Sequence, residues 1–284
     1  MLLPLLLAAT LSVVATTTDL RDLVTAVGGE RVRVTSLTDP RHDPHALELL
    51  PRQLVALRDA ALLVRVGLDH EPWLPRALAG ITPRPRELDL SRAVVLLGTE
   101  TPRLRPERAA HVHAFGNTHY WLDPANARPI TARIEEALSA LAPAERAVFA
   151  ENRVRFLARL DTGLARWELL LKPFAGMRVV TAHDTWPYFA RRFGLTVAAT
   201  LEERPGVPPS AAYVAQIVAR MRAAGVRVIV SEPAAPAALV RRIADQVGAR
   251  VVMLAPSVGA DTEATDYLTL FESNVTRLAA ALAP

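Results

Sequence analysis

Short apolar runs rich in β-branched residues alternate along the chain with segments whose apolar positions recur at helical spacing. The runs lie at residues 12–16, 31–37 and 61–66, with a weaker one at 93–97, and then at 177–181, 195–200, 226–231 and 250–254. Helical patterns fill the intervals, among them 18–27, 53–58, 188–193, 210–223 and 237–247. Strands that alternate with helices build βα units, so the pattern predicts an α/β protein with mainly parallel sheets.

The two halves of the pattern match when laid side by side. Val13-Val14-Ala15-Thr16, a helix and Gly28 parallel Val179-Val180-Thr181-Ala182, a helix and Gly194. The run 61–66 parallels 226–230, and each is followed by a Glu-Pro pair, Glu71-Pro72 and Glu232-Pro233. Such self-similarity implies an internal repeat, here two similar lobes. Between them residues 144–172 contain no proline and place Phe149, Phe156, Leu160, Leu164, Trp167 and Leu171 near helical period, with Pro143 before and Pro173 after. One stiff linker helix of roughly 40 Å is predicted there. The expected division is therefore an N-terminal lobe at 11–143, the linker at 144–172 and a C-terminal lobe at 173–284. A stiff helix should let the lobes open and close less than extended linkers would.

Residues 1–15 are apolar apart from Thr10 and Ser12. That is too short for a membrane span, which needs about 18 to 20 apolar residues, but it suits the apolar core of a secretory signal. Residues 1–10 are read as a signal remnant running into the first strand, and the mature protein is expected free in a periplasm.

Composition narrows the chemistry. The 284 residues carry a net charge of +4, yet no block of like charges occurs, and Lys172 is the sole lysine among evenly spread arginines. That is a solvated surface, not a nucleic-acid footprint. Cysteine is absent, which removes disulfides, thiolate metal sites and catalytic thiols and leaves any metal to His, Asp or Glu. Of seven histidines, His45, His119 and His183 fall in loops that follow strands or lead into helices. In open α/β sheets that edge binds ligands. His45 sits in the proline-rich loop Asp39-Pro40-Arg41-His42-Asp43-Pro44-His45, and His119 has aromatic neighbours and Asp123, which could orient a ring or cap the next helix. His183 follows a buried strand at a helix start. Each of the three fits a metal ligand, and each also fits an ordinary structural histidine. His42 and His70 are expected to face solvent or to stand behind the ligands.

Asn117-x-His119-x-Trp121-x-Asp123-Pro124, Asp43-Pro44-His45, and His183 followed by Tyr188-Phe189-Ala190-x-Arg192-Phe193-Gly194-Leu195 resemble the metal-binding segments of one family. That family is the zinc and manganese substrate-binding proteins of ABC importers. Val13 to Thr17, Glu71-Pro72-Trp73-Leu74 and Ser231-Glu232-Pro233 are similar to it as well, and the likeness runs in order from about Val13 to Leu282. The resemblance implies that His45, His119 and His183 bind one metal between the lobes, with a variable fourth ligand. The family often takes a carboxylate from the loop after the last strand, which makes Asp266 the expected fourth ligand, with Asp261, Glu263 or water as alternatives. Asp266 directly before the last helix would otherwise be its N-cap.

Three imidazoles and a carboxylate suit tetrahedral Zn²⁺, with Mn²⁺, which prefers more oxygen, as the second choice. Zinc members of the family frequently carry a long His- and acid-rich loop, whereas here residues 98–117 hold only His111 and His113. Those two could hand on zinc or hold a second ion. The resemblance further implies a monomeric carrier that delivers metal to an ABC permease, with no nucleic-acid partner. A zinc enzyme would need an open coordination position for water, and no His-Glu-x-x-His, Gly-x-Ser-x-Gly, phosphate-loop or dinucleotide-binding motif is present.

Overall fold

A computed structural model describes residues 10–42, 44–98, 116–202 and 207–284. Most of the signal remnant (residues 1–9), Asp43, and His111 and His113 lie outside the described residues. The chain builds two four-stranded parallel sheets. The first contains β1 (Leu11–Ala15), β2 (Val32–Ser36), β3 (Leu62–Arg65) and β4 (Arg86–Asp89) in the order β2-β1-β3-β4. The second contains β5 (Arg178–Thr181), β6 (Thr196–Thr200), β7 (Val228–Ser231) and β8 (Arg250–Met253) in the order β6-β5-β7-β8. The equivalent strand orders are the three-dimensional form of the repeat seen in the sequence. Val13, Val14 and Ala15 in β1 and Leu62, Leu63 and Val64 in β3 are all buried, because central strands of a sheet covered on both faces read as continuous apolar runs.

The fourth strand of the first sheet departs from expectation. It lies at Arg86–Asp89, and of the expected run 93–97, Ala93 ends a 3₁₀ turn (Leu90–Ala93) and residues 94–97 join no strand. β4 is an edge strand that pairs only with β3, so it needs only one apolar anchor, Leu88. Its remaining side chains are polar, and Arg65 of β3 bridges to Asp89 at 2.8 Å and Glu87 at 3.4 Å. The apolar residues Val94, Leu96 and Leu97 pack against the core without joining the sheet.

The linker helix α5 spans Arg146–Leu171, flanked by 3₁₀ turns at Pro143–Glu145 and Lys172–Phe174. Its 26 residues make it about 39 Å long, and Phe149, Phe156, Leu160, Leu164, Trp167 and Leu171 are all buried. It packs against α1 (Thr18–Gly28), α4 (Ala127–Leu141) and the last helix α9 (Tyr267–Leu282). One apolar cluster runs continuously from Val13 through α5 to Leu282. The two sheets therefore share a core as well as a covalent link. At the carboxyl ends of both, where the strand order reverses beside β1 and β5, lies a cleft of about 550 Å³, the location at which open α/β sheets bind ligands.

Candidate metal centre

Among the described residues His45, His119 and His183 line this cleft, and His70, fully buried, packs against them from behind. His45 sits in a 3₁₀ turn, Pro44–Ala46, after β2. The Trp73 indole donates to the Pro44 carbonyl at 2.9 Å and pins that turn. His70 follows β3, His119 precedes the 3₁₀ turn Tyr120–Leu122, and His183 follows β5. The His45 ring centroid lies 4.5 Å from that of His70, 5.9 Å from His119 and 6.5 Å from His183. His119 stands 5.7 Å from His70 and 5.7 Å from His183. Potential ligand nitrogens of His45, His70 and His119 lie within 4.8 Å of one another, so small side-chain shifts would bring them to the about 3.4 Å between donors of a tetrahedral site with Zn–N bonds near 2.0 to 2.1 Å.

Each imidazole has an oxygen at Nδ1. His45 Nδ1 is 2.9 Å from the His70 carbonyl, which can only accept, so that nitrogen carries the proton. His70 Nδ1 is 3.0 Å from Thr118 Oγ1, and His119 Nδ1 is 3.3 Å from Asn117 Oδ1. His183 Nδ1 bonds the Glu202 carboxylate. Oxygen partners on the far ring nitrogen fix the tautomer and aim the other nitrogen at a metal. Burial lowers the His183 pKa, but the hydrogen bond to Glu202, reinforced by the charges of Glu232, Glu202 and Asp184, raises it overall.

The scaffold under the rings is tied across the lobes. Asn117 donates to the Asp184 carbonyl at 2.7 Å, and Trp121 Nε1 donates to the Pro256 carbonyl at 3.0 Å. Asp123 caps the turn that leads into α4, accepting from Ala125 N at 3.0 Å, and takes two bonds from Arg192 at 2.6 and 3.1 Å. Of its two possible roles, Asp123 thus has the capping one. The two Glu-Pro glutamates are buried braces. Glu71 accepts from Thr16 Oγ1 at 2.6 Å, Val66 N at 2.7 Å and Gly67 N at 3.0 Å. Burial pushes its pKa up to about 7 against the pull of those bonds. Glu232 accepts from Trp186 Nε1 at 2.8 Å, and burial raises its pKa as well.

A profile of the family described as the periplasmic component A of zinc-uptake complexes matches residues 13–281. The chain belongs to that family. Its members are metal-binding components of ABC importers and not enzymes. A Treponema pallidum (strain Nichols) protein named for metal binding is 26% identical over 94% of this chain and 86% of its own length. The high-affinity zinc uptake system protein ZnuA of Brucella abortus (strain 2308) is 30% identical over 49% of this chain, a match spanning 41% of that protein. The chain thus covers less than half of that relative's length. A crystal structure of ZnuA superposes with a TM-score of 0.83 at 25% identity, covering 96% of this chain and 100% of the other.

The expected site residues do not all meet in the cleft. His45, His119 and His183 stand in the cleft, but Asp266 does not. It is the N-cap of α9, its carboxylate accepting from Leu268 N at 2.9 Å and Thr269 N at 2.8 Å. The alternatives in that loop are engaged too. Asp261 accepts from Glu263 N at 2.8 Å and pairs with Arg277, and Glu263 accepts from Ser273 and Arg277. His42 faces solvent as expected, with a side chain 78% exposed. His70, expected at the surface or behind the ligands, is fully buried within the histidine cluster. Sequence reasoning also passed over Glu202, although its place just beyond β6, at a carboxyl sheet edge, carried the same signal as the histidines.

Proposed function

We propose that this protein captures Zn²⁺ in the periplasm as a monomer and hands it to the membrane permease of an ABC importer, with His45, His119 and His183 as metal ligands. The lobes at 11–143 and 173–284, joined by the 144–172 linker, contribute ligands to the one cleft. The observation that carries the reading is the convergence of imidazoles whose Nδ1 atoms are each engaged by an oxygen. An imidazole-rich donor set favours zinc, whereas manganese suits carboxylate and water ligands. The shared core and the helix α5 favour small adjustments of a preformed site over wide closure.

The test is a competition titration of the chelator-stripped chain with Zn²⁺ and with Mn²⁺ against a reference dye. One tight zinc equivalent, weak manganese and loss of tight zinc in His119→Ala are expected. Equal or tighter manganese binding would assign the protein to manganese or iron uptake, and zinc affinity unchanged in His119→Ala would overturn the ligand assignment.

A further inference from the structure

His70 has no counterpart in the pattern of three histidines plus a carboxylate, yet it is the most deeply buried of the four clustered rings. We propose that His70 is a fourth protein ligand, so that the cleft holds its ion with four imidazoles and leaves no coordination position to water or to a carboxylate. The proposal rests on reading the cleft as a zinc site and deepens it.

Three observations lead there. The potential ligand atoms of His70, His45 and His119 lie within 4.8 Å of one another. The Nδ1 of His70 is held by Thr118 Oγ1 at 3.0 Å, the same outward arrangement that the other three rings have, which presents Nε2 inward. And the turn that delivers His70 is unusual: Gly67 (φ 83°), Leu68 (φ 57°) and Asp69 (φ 57°) all lie in the left-handed region, which Gly and Asp tolerate but which strains Leu68. The Glu71 carboxylate clamps the turn at Val66 N and Gly67 N, and His70 N closes it on the Gly67 carbonyl at 3.0 Å. Local strain of this kind persists where the surroundings over-determine it, and it concentrates at functional sites.

Packing alone accounts poorly for the residue. The His70 ring meets Trp121 edge-on at 5.3 Å, a contact that a leucine or phenylalanine would also make without bringing polar atoms into the core. Residue 70 serves the cluster twice, because its carbonyl also orients His45. The arrangement gives three imidazoles from the side of the first sheet, with His183 from the second completing a nitrogen-only set. Such a set disfavours Mn²⁺, which prefers oxygen donors.

The decisive experiment is the crystal structure of the zinc-loaded full chain, with zinc titrations of His70→Ala and the volume-conserving His70→Gln beside wild type. A zinc–Nε2 bond to His70 of 2.0 to 2.1 Å is expected. Both variants should bind zinc more weakly by more than the roughly 10- to 100-fold that loss of an outer partner produces, while circular dichroism of the metal-free variants matches wild type. Tight zinc on His45, His119 and His183 with water or a carboxylate in the fourth position would overturn the role of His70 and leave the zinc reading intact. Wild-type protein that binds no zinc would overturn both. The structure of the wild-type complex decides the matter even if the variants fold poorly.

Discussion

At the level of single residues, Asp266 caps a helix instead of lining the cleft, and His70 is buried in the histidine cluster instead of facing solvent. Asp266 precedes a helix and follows the last strand, a position that serves a ligand or a cap equally well. Its extended backbone (φ −142°, ψ 175°) and its reciprocal bonding with Thr269 make the capping box of α9, whose first turn also receives the Asp22 carboxylate at Tyr267 N, 2.8 Å away. Two carboxylates at one helix start complement the exposed N–H groups and the positive end of the helix dipole. Asp266→Ala should therefore lower unfolding free energy in urea by about 0.5 to 2 kcal/mol and leave zinc affinity at the wild-type value. A hundredfold loss of zinc affinity with unchanged stability would return Asp266 to the metal. His70 was hard to recognise for the complementary reason: nothing in Gly67-Leu68-Asp69-His70 announces that three left-handed residues turn the ring inward.

Among the elements, those with a clear period were legible and those without one were not. The 3.6-residue recurrence of Phe149, Phe156, Leu160, Leu164, Trp167 and Leu171 located α5 almost to its ends, because one face of that helix is buried along its whole length. β4 escaped because an edge strand with one buried residue has no period to detect. Its identity comes from the partner, through the ladder with β3 and the Arg65 bridges. The weight that α5 bears is measurable. Leu160 is completely buried at its middle, so Leu160→Ala should reduce stability by about 2 to 5 kcal/mol. Because the same cluster includes both sheets, circular dichroism and tryptophan fluorescence should report one coincident transition for the variant as for wild type. Separate transitions for the two lobes would contradict a shared core.

Taken as a whole, the molecule is joined by contacts between segments at opposite ends of the chain. Asp19 in α1 accepts from Val258 N at 3.0 Å across 239 residues of sequence. Complete burial pushes its pKa from 3.8 up to about 7, outweighing the hydrogen bonds from Val258 and Ser257 that lower it, while neighbouring Asp22 raises it further. Between those two values the folded protein keeps a proton that the unfolded chain has released, so stability falls as pH rises through this window. The unfolding free energy of wild type relative to Asp19→Asn should decline from about pH 4 to about pH 7 and level off above it. Chemical denaturation at a series of pH values measures that difference, and a difference that stays constant or rises would contradict the assignment.

Local patterns encode the βα alternation, the repeat of two sheets, the span of α5, and three histidines at strand or helix ends whose neighbouring motifs resemble a metal-importer family. Burial in a parallel sheet or along one helix face writes itself into residue order, so these features could be read directly. Long-range packing fixes that a carboxylate beside the last strand caps a helix, that Glu202 meets His183, and that His70 joins the other rings. Those outcomes depend on backbone angles at a few turn residues and on which strands lie side by side. Both are set by packing between segments far apart in the chain, which no local pattern records.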